Sequence, residues 1–260
     1  MSGLFIRYCF FSQTFQEAKL IMKRIKNYGK RKGIRDIWNA FMVKDCSKWN
    51  EGDIPDCPTA KVEIPTDLIT WVEAVRIHNK MKKQNENYKY DAYICFYCDD
   101  WLFDGPLGIW NNYNKAIEII KHFSGIISPD FSTYKDFPTP LKAWNIYRMR
   151  TFGFWCTTKG INVINNVRWS PDTIDICFKG IPRNSVVCLG VIASDLRHSA
   201  NWPEYEYYLK IMVQELQPII ILVYGSARYK FFKDLQVQGI VVKSYKPARN
   251  RKKATAGDAK

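Results

Sequence analysis

The sequence predicts an α/β protein: a mostly parallel sheet of alternating βα units, curled into a partial or complete βα barrel, with an open doubly wound sheet as the alternative. Three observations carry this. From Asp91 onward, short near-continuous apolar runs alternate with helical patterns of about a dozen residues, the texture of strands buried on both faces. Right-handed crossovers between parallel strands leave only the two architectures named. A chain of 260 residues with 47% hydrophobic and 15% aromatic content can build a real core, which excludes a fully disordered protein.

In order along the chain, residues 1–49 read as a basic helical extension. Within 13–28, Phe15, Ala18, Ile21, Met22 and Ile25 form one stripe at helical spacing, and GKRKG (29–33) breaks it. Residues 50–90 read as a connector, kept extended by Pro55, Pro58 and Pro65, with a short helix over 68–82 that packs on the body. Residues 91–245 form the α/β core. Its strands are expected at 92–97, 125–128, 161–167, 185–192, 219–224 and 239–242, and its helices at 112–123, 140–157, 203–216 and 227–236. The stretch 169–184 is a mixture of turn and strand. A seventh or eighth strand would come from 61–64 or 175–178. Residues 246–260 are charged and poor in apolar groups, so they read as a disordered basic tail.

The formal net charge of +14 is unevenly placed. Residues 1–49 carry +8, residues 243–260 carry +6, and the body between them has 21 basic and 21 acidic residues. The ends, with Lys30, Arg31 and Lys32 on one side and Arg249, Arg251, Lys252 and Lys253 on the other, would neutralise phosphates of DNA or RNA in a salt-dependent way. A solvated tail or a helix lying on an anionic surface gives the same charge pattern. No apolar run is long enough to cross a membrane. Met1–Phe11 is apolar but contains Arg7 and lacks a preceding basic region, so a secretory signal is not expected. The eight cysteines are scattered and several lie in apolar runs, which fits reduced thiols and a cytoplasmic location.

Ligands of parallel α/β sheets bind at the C-terminal ends of the strands. Polar residues gather at those positions here: Asp99 and Asp100; Asp130, Ser132 and Asp136; Asn166, Arg168 and Trp169; Ser194, Asp195, Arg197 and His198; and Tyr224. Neighbouring carboxylates would hold Mg²⁺ or Mn²⁺, or share protons. An arginine would clamp a phosphate or carboxylate bidentately. Aspartates at such places also cap helices, and Ser-Pro-Asp is ordinary turn chemistry. In WNIYRMRTFGFW, Trp144, Arg148 and Phe152 share one line with Asn145 and Tyr147 beside it. That face suits base stacking, but packing on the sheet explains it more simply, with Arg148 as a buried pairing partner and Arg150 as a surface charge. Cys95 and Cys98 have the spacing of a zinc pair, but on a strand they point to opposite faces. No nucleophile elbow, P-loop or dinucleotide fingerprint is present.

The stretches FYCDDWLF (96–103), GIISPDFSTYKDFP (125–138), WNIYRMR (144–150), GINVINNVRW (160–169), ICFKGIPRNSVV (176–187) and IIILVYGS (219–226) resemble, in this order, the bacterial and phage family known as domain of unknown function 4417. The resemblance covers roughly residues 60–245. It implies that Asp99, Asp100, Asp130, Ser132, Asp136, Trp144, Asn145, Arg148, Asn166, Arg168, Trp169, Phe178, Gly180, Tyr224 and Gly225 belong to the family's pattern. GVIASDLRHSANW (190–202) departs from it, so the resemblance lends no role to His198. The family brings no reaction with it. The leading expectation is therefore a phage or mobile-element protein acting on nucleic acid or a nucleotide. In that reading Asp99, Asp100, Asp130 and Asp136 act as metal ligands or acid and base, suited to phosphoryl transfer or hydrolysis. Ser132, Asn145, Arg148, Asn166, Arg168, Trp169 and Tyr224 hold the substrate. The alternatives are a non-catalytic module that binds a host or phage protein, and an enzyme acting on a small metabolite.

Overall fold

The computed structural model describes residues 35–50 and 52–248. The chain divides into two compact units, 1–45 and 46–260. In the described part of the first, a 3₁₀ turn at Ala40–Val43 is preceded by Asp36, whose carboxylate accepts the N–H groups of Trp38 and Phe41 at 3.0 and 2.9 Å. The expected helix over 13–28 and the basic residues Lys30, Arg31, Lys32, Arg249, Arg251, Lys252 and Lys253 lie outside the described residues.

The second unit is a seven-stranded parallel sheet with strands in chain order. They are β1 (Leu68–Thr70), β2 (Tyr90–Cys95), β3 (Phe123–Ile127), β4 (Val163–Asn166), β5 (Val186–Gly190), β6 (Ile220–Tyr224) and β7 (Val241–Tyr245). Between them run α1 (Trp71–Met81), α2 (Tyr113–Ile120), α3 (Thr139–Thr158), α4 (Trp202–Leu216) and α5 (Lys230–Val237). A doubly wound sheet must reverse its strand order somewhere. This one never does: each crossover steps to the next position in the same sense, and the twist accumulates into a curled half-barrel. The barrel-like arrangement is therefore the one the chain adopts, in its partial form.

The sheet also begins earlier than the change of texture at Asp91. Its extra strand comes from Leu68–Thr70, not from 61–64 or 175–178. Those three residues look helical in sequence because Thr70 caps α1 immediately: its Oγ1 accepts the Glu73 N–H and its own N–H donates to the Glu73 carboxylate. Residues 61–64 bend, with Glu63 N–H on Lys61 O at 2.9 Å; Lys61 N–H bonds the Asn162 side chain and Glu63 accepts from Tyr93 and Asn162, so the segment pairs with side chains and not with a neighbouring strand. Residues 175–178 turn back on themselves, with Ile176 and Cys177 donating to Thr173 O at 3.0 and 2.8 Å.

Alternation along the strands makes two cores. Val187, Leu189, Ile221 and Val223 face outward onto α4 and α5, meeting Leu209, Met212, Phe232 and Leu235. The other phase carries Tyr93, Cys95, Ile164, Cys188, Leu222 and Tyr224, and among the described residues no helix residue joins that cluster. The proline-bearing strap covers part of it instead. Ala60 packs into it, and Pro65 O accepts the Tyr245 hydroxyl at 2.6 Å. The curl of the sheet turns this face inward.

In α3, nine consecutive residues from Arg148 to Cys156 are buried. Arg150, expected on the surface, is 0% exposed, and this corrects the sequence reading. Its guanidinium reaches carbonyls that the sequence places far away: Asn166 O, Cys177 O and Lys179 O at 3.1, 2.9 and 3.2 Å. It fastens the 169–184 stretch to the end of β4.

Candidate functional site

The strands point their C-terminal ends to one rim, and there the sequence-predicted groups sort into two hydrogen-bonded networks. The first is centred on Asp130, just beyond β3. Its Oδ2 accepts from Arg168 Nη1 at 2.8 Å, and its Oδ1 accepts from Asn166 Nδ2 at 2.8 Å. Asn166 Oδ1 in turn accepts from the Tyr97 hydroxyl at 2.9 Å, and its backbone N–H donates to Ser128 Oγ. With both ends of its amide engaged, Asn166 fixes the orientation of Asp130. The Tyr97 ring stacks on Tyr224 at 5.1 Å between centroids. Burial holds the Tyr97 hydroxyl well above its usual pKa, so it remains a donor. Burial also pulls the Arg168 guanidinium down, but the charge and hydrogen bond of Asp130 more than offset this and its pKa is raised.

The second network surrounds Asp100. Its two oxygens accept the Ser132 hydroxyl at 2.8 Å and the Ser132 N–H at 3.1 Å. Ser132 O accepts from Asn145 Nδ2, and Asn145 Oδ1 accepts from Arg148 Nη2 at 2.6 Å. Arg148 forks onto Asp104, both contacts being 2.9 Å, and lies 3.9 Å above the Phe131 ring. Burial raises the Asp100 pKa against the opposing hydrogen bonds of Ser132. With 8% exposure, Arg148 serves as a buried pairing partner and has no open face for a phosphate.

Not every expected group joins. Asp99 is exposed at the start of a 3₁₀ turn, and Asp136 is exposed in the turn before α3. Tyr224 is 1% exposed, its hydroxyl accepting the Ala248 N–H at 3.0 Å. His198 is exposed beside Asp195, which also binds Arg197. The four aspartates expected to hold Mg²⁺ or Mn²⁺ are thus divided: two take separate protein partners and two stand apart in solvent. Among the described residues, no three His, Cys, Asp or Glu side chains are placed to hold a metal ion. Burial pushes the Cys98 thiol up to about 12, so it is protonated and a poor ligand at neutral pH.

A cavity of about 400 Å³ opens beside the first network, between the ends of β4 and β5, the loop after β3 and the first turns of α4. Asp130, Arg168 and Trp169, all singled out in the sequence, line it. Thr133, Tyr134 and Lys135 from the loop, and Tyr205 and Tyr208 from α4, were not singled out in the sequence. Trp169 packs against Tyr205 at 5.2 Å between ring centroids, and Arg168 lies 5.7 Å from the Tyr134 ring. Lys135 and Glu204 form a 3.2 Å ion pair between the loop and α4. Tyr97 was not singled out either, although it continues the inward phase of Tyr93 and Cys95, a signal that could have found it. Nothing local marks Tyr205 and Tyr208, which are brought here by the crossover.

Gly190, at the end of β5, sits beneath the Tyr97 ring. A Cβ added there would lie 2.4 Å from the ring, so Tyr97 must move for an alanine to fit. Gly190→Ala is expected to destabilise the fold by about 1–3 kcal/mol in denaturant unfolding, the range for an overpacked core. An unchanged midpoint would mean that Tyr97 is not held as described.

Residues 37–246, which include every described strand and both networks, match the family described as "Domain of unknown function (DUF4417)". The chain is 30% identical over 197 residues to the Gene 1 protein of Mycobacterium phage L5, an alignment covering 75% of this chain and 79% of that one. It is 28% identical over 199 residues to the Gene 1 protein of Mycobacterium phage D29, covering 75% and 67% respectively. No solved structure matches the chain.

Proposed function

From the premise that this chain belongs to the DUF4417 family, with phage proteins among its relatives, we propose that it binds a nucleotide unit, free or within a nucleic acid, in the cavity at the strand ends. The observation that carries this reading is the combination at one mouth: a fixed Asp130–Arg168 pair beside the aromatic walls Tyr134, Trp169 and Tyr205. Aromatic faces stack on any base, and neighbouring hydrogen-bonding groups then orient it. The cavity lies within the range of about 300–1000 Å³ typical of small-molecule sites. The basic flanks, +8 over 1–49 and +6 over 243–260, would add a salt-dependent hold on a longer strand. Among the described residues, no helix is long and apolar enough to cross a membrane.

Calorimetric titration with the common nucleotides and with short single-stranded oligonucleotides tests the reading. Tyr134 is 48% exposed, so Tyr134→Ala should leave the melting temperature unchanged. It should weaken binding about tenfold, the loss expected for one stacking partner. Absence of binding by the unaltered protein at millimolar ligand would dispose of the proposal.

A further inference from the structure

The charges around the cavity suggest which part of a nucleotide enters it. The ionisable side chains lining it are Lys135 and Arg168 against Asp130, Asp195 and Glu204, a formal charge of −1. Each already has an opposite partner: Arg168 on Asp130 at 2.8 Å, Lys135 on Glu204 at 3.2 Å, and Arg197 on Asp195 at 3.0 Å. The Lys135 and Asp195 pairs are exposed and screened by water, but the Arg168 and Asp130 side chains are only 19% and 14% exposed, so a phosphate that took Arg168 would leave the Asp130 carboxylate without its ion-pair partner in a partly desolvated place. Carboxylates readily accept from amino groups and sugar hydroxyls, so the same lining suits an uncharged polar ligand.

A second observation is independent of charge. Among the described residues, four buried side-chain polar atoms lack a hydrogen-bond partner: Thr133 Oγ1, Arg148 Nε, Thr151 Oγ1 and Asn165 Oδ1. Of these residues only Thr133 lines the cavity, and it is 5% exposed. A buried hydroxyl without a partner lacks compensation for its lost water. The oxygen itself is closed to solvent, so a ligand group can supply the partner only once the side chain turns about χ1 toward the cavity; there a hydroxyl both donates and accepts, matching a base edge or a ribose hydroxyl.

We infer that the cavity recognises the nucleoside part of its ligand, base and sugar, using the Thr133 hydroxyl as a specificity-determining contact, and that the phosphate stays outside. The inference rests on the nucleotide reading above and gives it a substrate class: nucleosides and the nucleoside moieties of nucleotides. Arg168 then orients Asp130 and stacks beside Tyr134, and its role does not depend on a phosphate. Attraction for a polyanion falls to the basic flanks, outside the cavity.

The test titrates the full chain with adenosine, guanosine, cytidine, uridine and thymidine, and with their 5′-monophosphates, at low and high salt. The best nucleoside should bind within about threefold of its monophosphate, with little dependence on salt, since no phosphate contact releases counterions. Thr133→Val should weaken both by about fivefold, the size of one neutral hydrogen bond, while Thr133→Ser restores them. If the monophosphate binds more than tenfold tighter than the nucleoside, or its affinity falls steeply with salt, phosphate is recognised and the inference fails while the nucleotide reading stands. Unchanged affinity in a folded Thr133→Val protein also overturns it. If no compound binds, the inference fails, and the nucleotide reading falls with it only if the oligonucleotides do not bind either.

Discussion

Arg150→Ala is expected to remove about 3–5 kcal/mol of folding stability, a large part of the roughly 5–15 kcal/mol available to a domain. The arginine is fully buried, and among the described residues its guanidinium bonds three carbonyl oxygens and no carboxylate. Burial lowers its pKa, yet guanidinium remains charged at neutral pH, so a cation sits in the interior balanced by carbonyl dipoles. Deleting it relieves the cost of burying that charge. Against this stand three carbonyls left without donors and the void left by one of the largest fully buried side chains. Three stranded acceptors at about 1–3 kcal/mol each outweigh the relief.

Geometry sharpens this expectation. The three carbonyls belong to Asn166, Cys177 and Lys179, so one planar fork spans the end of β4 and the turn beyond it. A lysine carries the same charge but presents it at a single point and cannot reproduce a fork. Arg150→Lys should therefore recover less than half of the loss. Denaturant unfolding of the two variants measures both numbers. A cost below 1 kcal/mol for Arg150→Ala, or full recovery by lysine, would show that the fork is not what ties the turn to the strand. Because Asn166 also orients Asp130, ligand affinity should fall together with stability in both variants.

The sequence carried the strands that are self-contained apolar runs and missed those that exist only through their neighbours. Ile220–Tyr224 and Val186–Gly190 are legible because β-branched and apolar residues fill every position of a strand covered on both faces. Leu68–Thr70 is not, because three residues that run directly into a capped helix have no period of their own; pairing with β2 makes them a strand. The choice between a half-barrel and a doubly wound sheet was open for a similar reason: both read as the same alternation and differ only in which neighbour each strand pairs with. The strand-end rule located Asp130, Asn166 and Arg168, yet nothing in their spacing shows that Asn166 joins Tyr97 to Asp130, a link across 69 and 36 positions. Arg150 was misread because a helix leaves no mark in sequence when it is buried on every side. The polar groups that receive its charge lie 16 to 29 residues away.

Asp130 and Arg168 should be strongly coupled in a double-mutant cycle, and unequally sensitive one by one. Their side chains are 14% and 19% exposed, so their attraction is only partly screened by water. Asp130→Ala leaves the guanidinium without its ion-pair partner and strands the Asn166 amide as well, for an expected cost of about 2–4 kcal/mol. Arg168→Ala leaves Asp130 still hydrogen-bonded to Asn166, so about 1–2 kcal/mol is expected. The double variant should cost less than the sum of the two by about 1–2 kcal/mol, since the second deletion removes a charge that the first left unpaired. Additivity within about 0.3 kcal/mol would mean the two groups do not interact in solution. The cycle also bears on function, because the nucleoside reading treats Arg168 as the group that holds Asp130. Removing Arg168 should then weaken a nucleoside and its 5′-monophosphate by the same factor, whereas an arginine that contacts phosphate would cost the monophosphate far more.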